Sequence, residues 1–219
     1  MLKYLVSLMG CFLPFVSAAE TRVIRLDSLQ GLRGVNLQMD VADYAGRKAV
    51  HVLAPAQLHG PAIVLLPGTF ENGTIEIDVA GRPGPGADDT ARGFIGAAFR
   101  VADERHFDCF YLRPTNGRAD DQLRRNHSVQ YVAEPEFPWF RLRKENPGEY
   151  ESYADLQPGV WTAMRIVVAG RRAELYVNGS DQPCLIVREL KGAAGTGALA
   201  LWTGDGTEGY FSNLRVIAP

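Results

Sequence analysis

The sequence predicts an all-β protein folded as one large antiparallel sandwich. Apolar and polar residues alternate with a period of two along most of the chain, and no segment keeps a helical period over ten residues. The 23 glycines and 13 prolines suit a turn-rich β fold better than a helical one. About a dozen predicted strands with frequent turns indicate a sandwich or a barrel, and the absence of a Pro/Ser-rich linker favours one domain over two.

The predicted strands follow one another from residue 23 to residue 217. Each run is rich in Val, Ile, Phe or Tyr and ends near Gly, Pro, Asn or Asp. In order they are VIRL 23–26, VNLQMDV 35–41, AVHVLA 49–54, AIVLL 62–66, GTIEIDV 73–79, GFIGAAFRV 93–101, FDCFYLRP 107–114, HSVQYVA 127–133, WTAMRIVVAG 161–170, RAELYVNG 172–179, CLIVREL 184–190, GALALWTG 197–204 and YFSNLRVI 210–217. Trp161 and Trp202 lie in apolar runs of this series and are predicted to be core residues.

Residues 1–18 are predicted to be a secretory signal peptide. They combine a positive Lys3, an apolar core from residue 5 to residue 16, and a cleavage site of small residues. Lipoprotein processing at Cys11 is the alternative, which the very short apolar stretch before Cys11 disfavours. We therefore expect a secreted or periplasmic protein whose β-sandwich spans residues 19–219.

The charge balance argues against nucleic acid as a partner. The chain has 23 Lys and Arg against 25 Asp and Glu, a net charge of −2 at pH 7, whereas general nucleic-acid binders carry a basic excess. Beyond the N-terminus no apolar run is long enough to cross a bilayer, so no membrane span is predicted. The sequence does not indicate an oligomeric state.

Two cysteines remain after the predicted cleavage, Cys109 and Cys184. An oxidising compartment permits a disulfide between them. Both lie in apolar strand-like runs, however, so we predict two thiols that pack as small apolar side chains.

Motif searches argue against several chemistries. GDGTEG 204–209 matches G-x-G-x-x-G, but a strand rather than a helix follows it, so we interpret it as a hairpin turn. No G-x-S-x-G, H-E-x-x-H, C-x-x-C or P-loop motif occurs. No cofactor is predicted. The pairs at 88–89 and 120–121 offer Asp oxygens to Ca²⁺, although solvated loop acids are the simpler interpretation.

Side chains that alternate with the predicted core residues indicate a binding face. In four of the runs these side chains are mainly Glu, Asp, Arg, Gln and Tyr, whereas a merely solvated face is usually rich in Lys, Thr and Ser. If the four strands are neighbours in one sheet, their non-core face collects Glu76, Asp78, Arg100, Tyr111, Arg113 and Gln130, above a low floor of Gly96 and Ala98. Guanidinium forks, carboxylates, an amide and a phenol suit the paired donors and acceptors of sugar hydroxyls. We therefore predict a groove that binds carbohydrate.

The segment 134–160 is predicted to be a long functional loop beside this groove. Its aromatic content disfavours disorder, and flat aromatic rings suit the apolar C–H face of a pyranose. Its aromatic residues include Phe137, Trp139, Phe140, Tyr150 and Tyr153. The further substrate-binding candidates are Asn116, Trp139, Arg143 and Tyr150, and Glu151 is a candidate acid or base.

Two carboxylates on one strand permit glycoside hydrolysis without identifying it. Glu76 and Asp78 would lie about 6.5–7 Å apart at Cα, while glycosidases hold their carboxyl groups about 5–5.5 Å or about 6.5–9.5 Å apart. Acids of the segment 134–160 offer a partner from above. They are Glu134, Glu136, Glu149 and Glu151.

Several segments resemble a known family. WTAMRIVVAGRRAELYVNG 161–179 and GALALWTGDGTEGYFSNLRV 197–216 are similar to the C-terminal half of concanavalin-A-like jelly rolls of the laminin-G and glucanase type. GFIGAAFR, FDCFYLRPTNG and VQY resemble secreted bacterial domains of the 3-keto-disaccharide hydrolase type. The resemblance, which covers roughly 35–217, implies a single jelly-roll sandwich of two curved antiparallel sheets with a concave, sugar-sized face.

The resemblance also implies site residues, in agreement with the alternation above. The implied groove residues are Arg100, Tyr111, Arg113 and Gln130. Glu76-Ile77-Asp78 resembles the start of the glucanase signature Glu-x-Asp-x-x-Glu, but Gly81 stands where the last acid would fall. That departure argues against retaining endoglucanase chemistry.

Three functions fit these features. A hydrolase of an oxidised glycoside would use Glu76 or Glu151 as acid or base, with Arg100 and Arg113 positioning or polarising the substrate. A 3-keto sugar loses its glycosidic bond by elimination, because the ketone acidifies the neighbouring C–H, so one base and one cation would suffice. The alternatives are a non-catalytic carbohydrate-binding module and a β-sandwich that binds a protein through its aromatic loop.

Overall fold

Fifteen β-strands and two short α-helices make up the protein in a computed structural model that describes residues 20–219. The strands are β1 Thr21–Ile24, β2 Arg33–Val35, β3 Gln38–Tyr44, β4 Arg47–Leu53, β5 Ala62–Phe70, β6 Gly73–Pro83, β7 Ile95–Val101, β8 Phe107–Leu112, β9 Val129–Glu134, β10 Glu151–Ser152, β11 Thr162–Ala169, β12 Arg172–Val177, β13 Leu185–Val187, β14 Gly197–Thr203 and β15 Thr207–Ile217. The helices are α1 Gln122–Arg125 and α2 Trp139–Glu145, and a 3-10 helix covers Pro114–Asn116. The predicted signal peptide lies outside the described residues.

The strands form two antiparallel sheets. The eight-stranded sheet has the order β13-β12-β11-β6-β15-β4-β3, and β1 pairs with the last residues of β15. The seven-stranded sheet has the order β10-β9-β8-β7-β14-β5-β2. The chain crosses repeatedly between them, for example from β5 to β6, from β6 to β7 and from β14 to β15. The predicted all-β, two-sheet jelly roll is confirmed.

The turn at 204–206 differs from its prediction. It joins β14 of the seven-stranded sheet to β15 of the eight-stranded sheet, so the interpretation as a hairpin turn is wrong. The turn instead carries the chain from one layer to the other. Gly206 has φ of +58°, a left-handed backbone that glycine adopts without a Cβ penalty.

The apolar phase of the alternating strands forms the core between the sheets. Ile75, Ile77 and Val79 of β6 are almost completely buried, as are Phe99 and Phe110 of the other sheet. Cys109 and Cys184 are free thiols, as predicted, although Cys184 is only half-buried. Burial raises the pKa of both thiols, that of Cys184 to about 11. Among residues 20–219 no helix has the length and apolar character needed to cross a membrane.

The segment 134–160 contains more regular structure than a loop. It holds α2 and the short edge strand β10, in which Glu151 lies opposite Gln130 of β9. Leu142 of α2 is fully buried and belongs to the same apolar core as Cys109 and Val132. Those two residues alternate with the inward-facing ones, so α2 packs on the outer face of the seven-stranded sheet and covers part of it.

A bulge in β7 moves Arg100 away from the face predicted for it. Two residues, Phe99 and Arg100, oppose the single Leu199 of β14, and Arg100 has φ of +52°. A bulge breaks the alternation of side chains along a strand. The Arg100 guanidinium instead donates to the Glu71 carbonyl at 3.0 Å, to Asn72 Oδ1 at 3.1 Å and to the Gly170 carbonyl at 2.6 Å.

Arg100 therefore ties together the β5–β6 and β11–β12 turns at one end of the sandwich, and its placement on a common outer face with Tyr111 is wrong. We predict that Arg100→Met lowers the free energy of unfolding by about 3 kcal/mol, because it removes three hydrogen bonds donated by a nearly buried charged group. Denaturant unfolding measures this loss. Arg22→Met is the control, since Arg22 makes one exposed 3.3 Å bond to the Thr69 carbonyl; equal losses in the two variants would contradict the tie.

Candidate functional site

A row of cross-strand partners runs over the outer face of the seven-stranded sheet. Directly paired residues of antiparallel strands project to the same face. The row begins on β14, crosses β7, β8 and β9, and ends on the edge strand β10. Its members are Trp202, Gly96, Tyr111, Gln130 and Glu151.

Two aromatic rings meet above Gly96 in this row. Gly96 lies between Trp202 and Tyr111 and has no side chain, and the two ring centroids are 4.6 Å apart. Trp202 is therefore half-buried on the outer face, and its prediction as a core residue is wrong; Trp161 is likewise half-buried on the outer face of the other sheet. Burial raises the pKa of Tyr111 to about 12, so the phenol stays neutral and able to donate.

Arg113 organises the polar end of the row. It follows β8 two residues after Tyr111 and therefore projects to the same face. Its guanidinium donates to the Tyr111 hydroxyl at 2.8 Å, to Gln130 Oε1 at 3.2 Å and to the His127 carbonyl at 2.9 Å. These bonds hold a nearly buried cation in one orientation.

Helix α2 places two more predicted site residues over the row. Trp139 and Arg143 are four residues apart and so share one face of the helix, with the Arg143 guanidinium 4.8 Å from the Trp139 ring. Arg143 donates to both carboxylate oxygens of Glu151 at 2.7–3.1 Å. The Trp139 ring is 42% exposed and lies 5.9 Å from the Arg113 guanidinium. An exposed indole thus adjoins buried polar groups.

His127 completes the contacts of Glu151. Its Nδ1 lies 2.9 Å from Glu151 Oε2, within ion-pair distance but without hydrogen-bond alignment. Burial lowers the pKa of His127, and the charges of Arg143 and Arg113 lower it further, against the opposing effect of Glu151. The shift favours a neutral imidazole at pH 7.

Two predicted substrate-binding residues are buried and form hydrogen bonds with other residues of the site. Asn116 is buried, donates to the His127 carbonyl at 3.2 Å and accepts from Arg124 Nε at 3.0 Å. The Tyr150 ring lies on the core side, 5.6 Å from the Tyr131 ring, because it alternates with the outward-facing Glu151. Its placement over the groove is therefore wrong, although its carbonyl accepts from Gln130 Nε2 at 2.9 Å.

Glu76 and Asp78 lie far from this row in the fold. The expectation that they share a face with Tyr111 is wrong, because β6 pairs with β11 and β15 of the eight-stranded sheet. Glu76 pairs with Arg215 at 2.8 Å, and Asp78 with Arg47 at 2.6 Å. They line a separate groove with a volume of about 780 Å³, and their predicted roles remain untested.

Seven predicted residues are thus brought together, and the fold adds two that the sequence analysis did not select, Trp202 and His127. We define the Trp139 site as this cluster; its predicted members are Tyr111, Arg113, Asn116, Gln130, Trp139, Arg143 and Glu151. Trp202 had a sequence signal, since it alternates in phase with the small Ala198 and Ala200. His127 had none, because it lies just outside β9.

The described residues do not assemble a metal site. Between residues 20 and 219 no three His, Cys, Asp or Glu side chains are grouped to hold an ion. Asp88 accepts hydrogen bonds from Thr90, and Asp121 caps α1 by accepting from the Arg124 amide. Both acids therefore have local structural roles.

Comparisons with known proteins establish the fold. No family model and no curated protein matches the sequence. The carbohydrate-binding module CBM66 from Bacillus subtilis is similar in structure, with a TM-score of 0.56 and 16% identity over 85% of this chain and 95% of that one. A putative glycosyl hydrolase from Parabacteroides distasonis has a TM-score of 0.56 and 12% identity over 90% and 100% of the two chains.

A third match is domain 4 of AbnA, an extracellular arabinanase from Geobacillus stearothermophilus, solved in complex with arabinotriose. Its TM-score is 0.53, with 15% identity over 92% of this chain and 94% of that one. The lectin-type, concanavalin-A-like jelly roll that the sequence resembles is thereby confirmed. At such identities the likeness concerns the fold.

We predict that Gly96→Ala lowers the free energy of unfolding by about 3 kcal/mol, the upper part of the range for overpacking. The new Cβ would meet the Phe110 carbonyl oxygen at 2.1 Å and Tyr111 Cα at 2.6 Å, which forces β7 and β8 apart. Gly46→Ala is the control for denaturant unfolding. Its Cβ meets nothing within 4 Å, so it loses only the cost of a left-handed φ, about 1 kcal/mol. An equal loss in both variants would contradict the close approach at Gly96.

Proposed function

We propose that this protein binds a saccharide at the Trp139 site. The observation that carries the proposal is an exposed indole beside oriented polar groups: Trp139 is 42% exposed, and Arg113 and Arg143 lie 5.9 and 4.8 Å from its ring. A sugar ring has an apolar C–H face that packs on an indole. Its hydroxyls require donors and acceptors around that face, which the guanidinium groups supply.

The comparisons support this proposal without deciding it. One similar structure is a carbohydrate-binding module, and another holds arabinotriose. We also propose that the protein acts in the periplasm or outside the cell, which the predicted signal peptide supports.

We predict that Trp139→Ala weakens saccharide binding at least tenfold, a loss of about 1.4 kcal/mol, because stacking on the indole is removed. A glycan array identifies ligands, and isothermal titration calorimetry measures their affinities. Trp161→Ala is the matched control. Trp161 is also half-exposed, but it lies on the eight-stranded sheet, 5.8 Å from the Tyr44 ring, and its removal should leave the affinity unchanged. The proposal fails if the array shows no ligand or if Trp139→Ala binds as tightly as the wild type.

A second candidate function is cleavage of a 3-keto glycoside, which the contact between His127 and Glu151 favours. In this reaction a base removes the proton from the carbon beside the ketone. The electron pair of that C–H bond then forms a C=C bond beside the ketone as the glycosidic C–O bond breaks, and the departing sugar oxygen takes up a proton from the protonated base or from water. His127 or Glu151 would act as the base, and Arg143 would stabilise the negative charge that develops on the ketone oxygen.

If this chemistry operates, the protein converts 3-keto-disaccharide to monosaccharide products. We predict that Glu151→Gln then slows the conversion at least a hundredfold, because a general base usually contributes a factor of about 10²–10⁴ to the rate. Chromatography of the products measures the rate. Glu76→Gln is the control on the opposite sheet. Tight binding without products assigns the protein to the non-catalytic class, and loss of turnover in Glu76→Gln alone places the chemistry elsewhere.

A further inference from the structure

Five arginines lie around the Trp139 site. The five are Arg92, Arg113, Arg124, Arg125 and Arg143. Among the residues that the structure describes, Arg143 alone of these forms an ion pair, with Glu151 at 2.7 Å. Acids lie near some of the other four, such as Asp88 and Asp89 beside Arg92, but among the described residues none of them comes within ion-pair distance of these arginines.

Neutral groups accept the hydrogen bonds of three of these cations. Arg113, only 5% exposed, donates to a phenol, an amide and a carbonyl. Arg92 donates to the carbonyls of Asp89 and Ala91, and Arg124 donates to Asn116 Oδ1. The buried Nε of Arg125 has no hydrogen-bond partner, and its guanidinium lies 5.3 Å from the Tyr153 ring.

Such an arrangement carries a cost in the free protein. A buried cation without a counter-ion loses hydration that neutral acceptors replace only in part. Burial, followed by the charges of Arg124 and Arg113, lowers the pKa of Arg92, while the nearby acids Asp88 and Asp89 oppose the shift. The arginines are therefore close enough to repel one another. An added anion would relieve both effects.

Three arginines on the other sheet have ion-pair partners. On the outer face of the eight-stranded sheet, Glu76 pairs with Arg215, Asp78 with Arg47 and Glu208 with Arg82. Each of these three arginines is thus neutralised by an acid of the protein. Around the Trp139 site, by contrast, Glu151 binds Arg143, and the other four arginines remain without an ion-pair partner among residues 20–219.

We infer that the saccharide bound at the Trp139 site carries an anionic group, a carboxylate or a sulfate, which binds on the side of Arg113 and Arg124. The inference rests on the proposed function and specifies its ligand class. The guanidinium fork matches the paired oxygens of these anions. One chain of contacts links the two arginines, because Arg113 and Asn116 share the His127 carbonyl and Asn116 accepts from Arg124.

The experiment compares ligands that differ only in charge. Isothermal titration calorimetry of the full domain uses trigalacturonate against its methyl ester, and sulfated dextran oligosaccharides against unsulfated ones. We expect at least tenfold tighter binding of one charged ligand than of its neutral partner, and an affinity that falls as salt rises from 50 to 500 mM. The pair that shows the difference distinguishes a uronate carboxylate from a sulfate ester.

Two variants locate the anion. Arg124 is exposed, so Arg124→Gln should fold normally and weaken the charged ligand about tenfold while leaving the neutral one unchanged. Arg113→Lys keeps the charge but loses the fork, and it should weaken the charged ligand several-fold. Arg25→Gln is the control, because it removes an exposed cation from the eight-stranded sheet and should have no effect.

The outcomes separate the two proposals. Equal affinity for charged and neutral ligands, with loss of both in Trp139→Ala, overturns the inference and supports the proposed function. Binding of the charged ligand that only Arg25→Gln weakens overturns the inference, since the anion would then occupy the other sheet. The absence of binding by any saccharide overturns both.

Discussion

The register of the seven-stranded sheet is the constraint on which the site depends. Residues directly opposite one another share a face, and a shift of one position in any strand moves its whole set to the other side. The observed register aligns Trp202, Gly96, Tyr111, Gln130 and Glu151 across five strands. The opposite phase of the same strands supplies Phe99, Phe110 and Leu112 to the core. Burial of that apolar set therefore also fixes which polar groups face outward.

The short elements at the edge convert this row into a site. Without β10 and α2, Gln130 would belong to the edge strand and the outer face would be open. The two residues of β10 add Glu151 to the row, and α2 covers the apolar part of the face with Leu142. The ion pair between Arg143 and Glu151 fixes α2 to β10. Regular structure at the edge thus holds Trp139 in a defined position, which an open loop would not do.

The period-two pattern of the sequence predicted most of the strands and much of the site. Tyr111, Arg113 and Gln130 were assigned to one outer face, and they lie there because each alternates with apolar residues that the core requires. The pattern does not predict which strands pair with one another. It gives the correct phase for Glu76 and Asp78, but β6 belongs to the other sheet. Alternation within a single strand contains no information about the neighbours of that strand.

Local departures from regular geometry explain the remaining errors. Arg100 would face outward in an unbroken strand, and one extra residue in β7 turns it towards the turns of the opposite layer. Tyr150 and Glu151 are adjacent and so cannot both face a ligand from one strand, because successive side chains of a strand point to opposite faces. Trp202 was assigned to the core from the apolar character of its run, although its phase with Ala198 and Ala200 placed it outside.

Arginines on the outer faces of the two sheets differ in the partners that hold them. On the eight-stranded sheet the cross-strand ion pairs satisfy one another, as in Arg215 with Glu76, and such exposed pairs contribute little to stability or to recognition. Around the Trp139 site the hydrogen bonds of Arg113 orient its guanidinium without neutralising it. A cation that is buried, oriented and left without a counter-ion loses hydration that neutral acceptors replace only in part. Its presence beside an exposed indole is best explained by a ligand that supplies the missing charge.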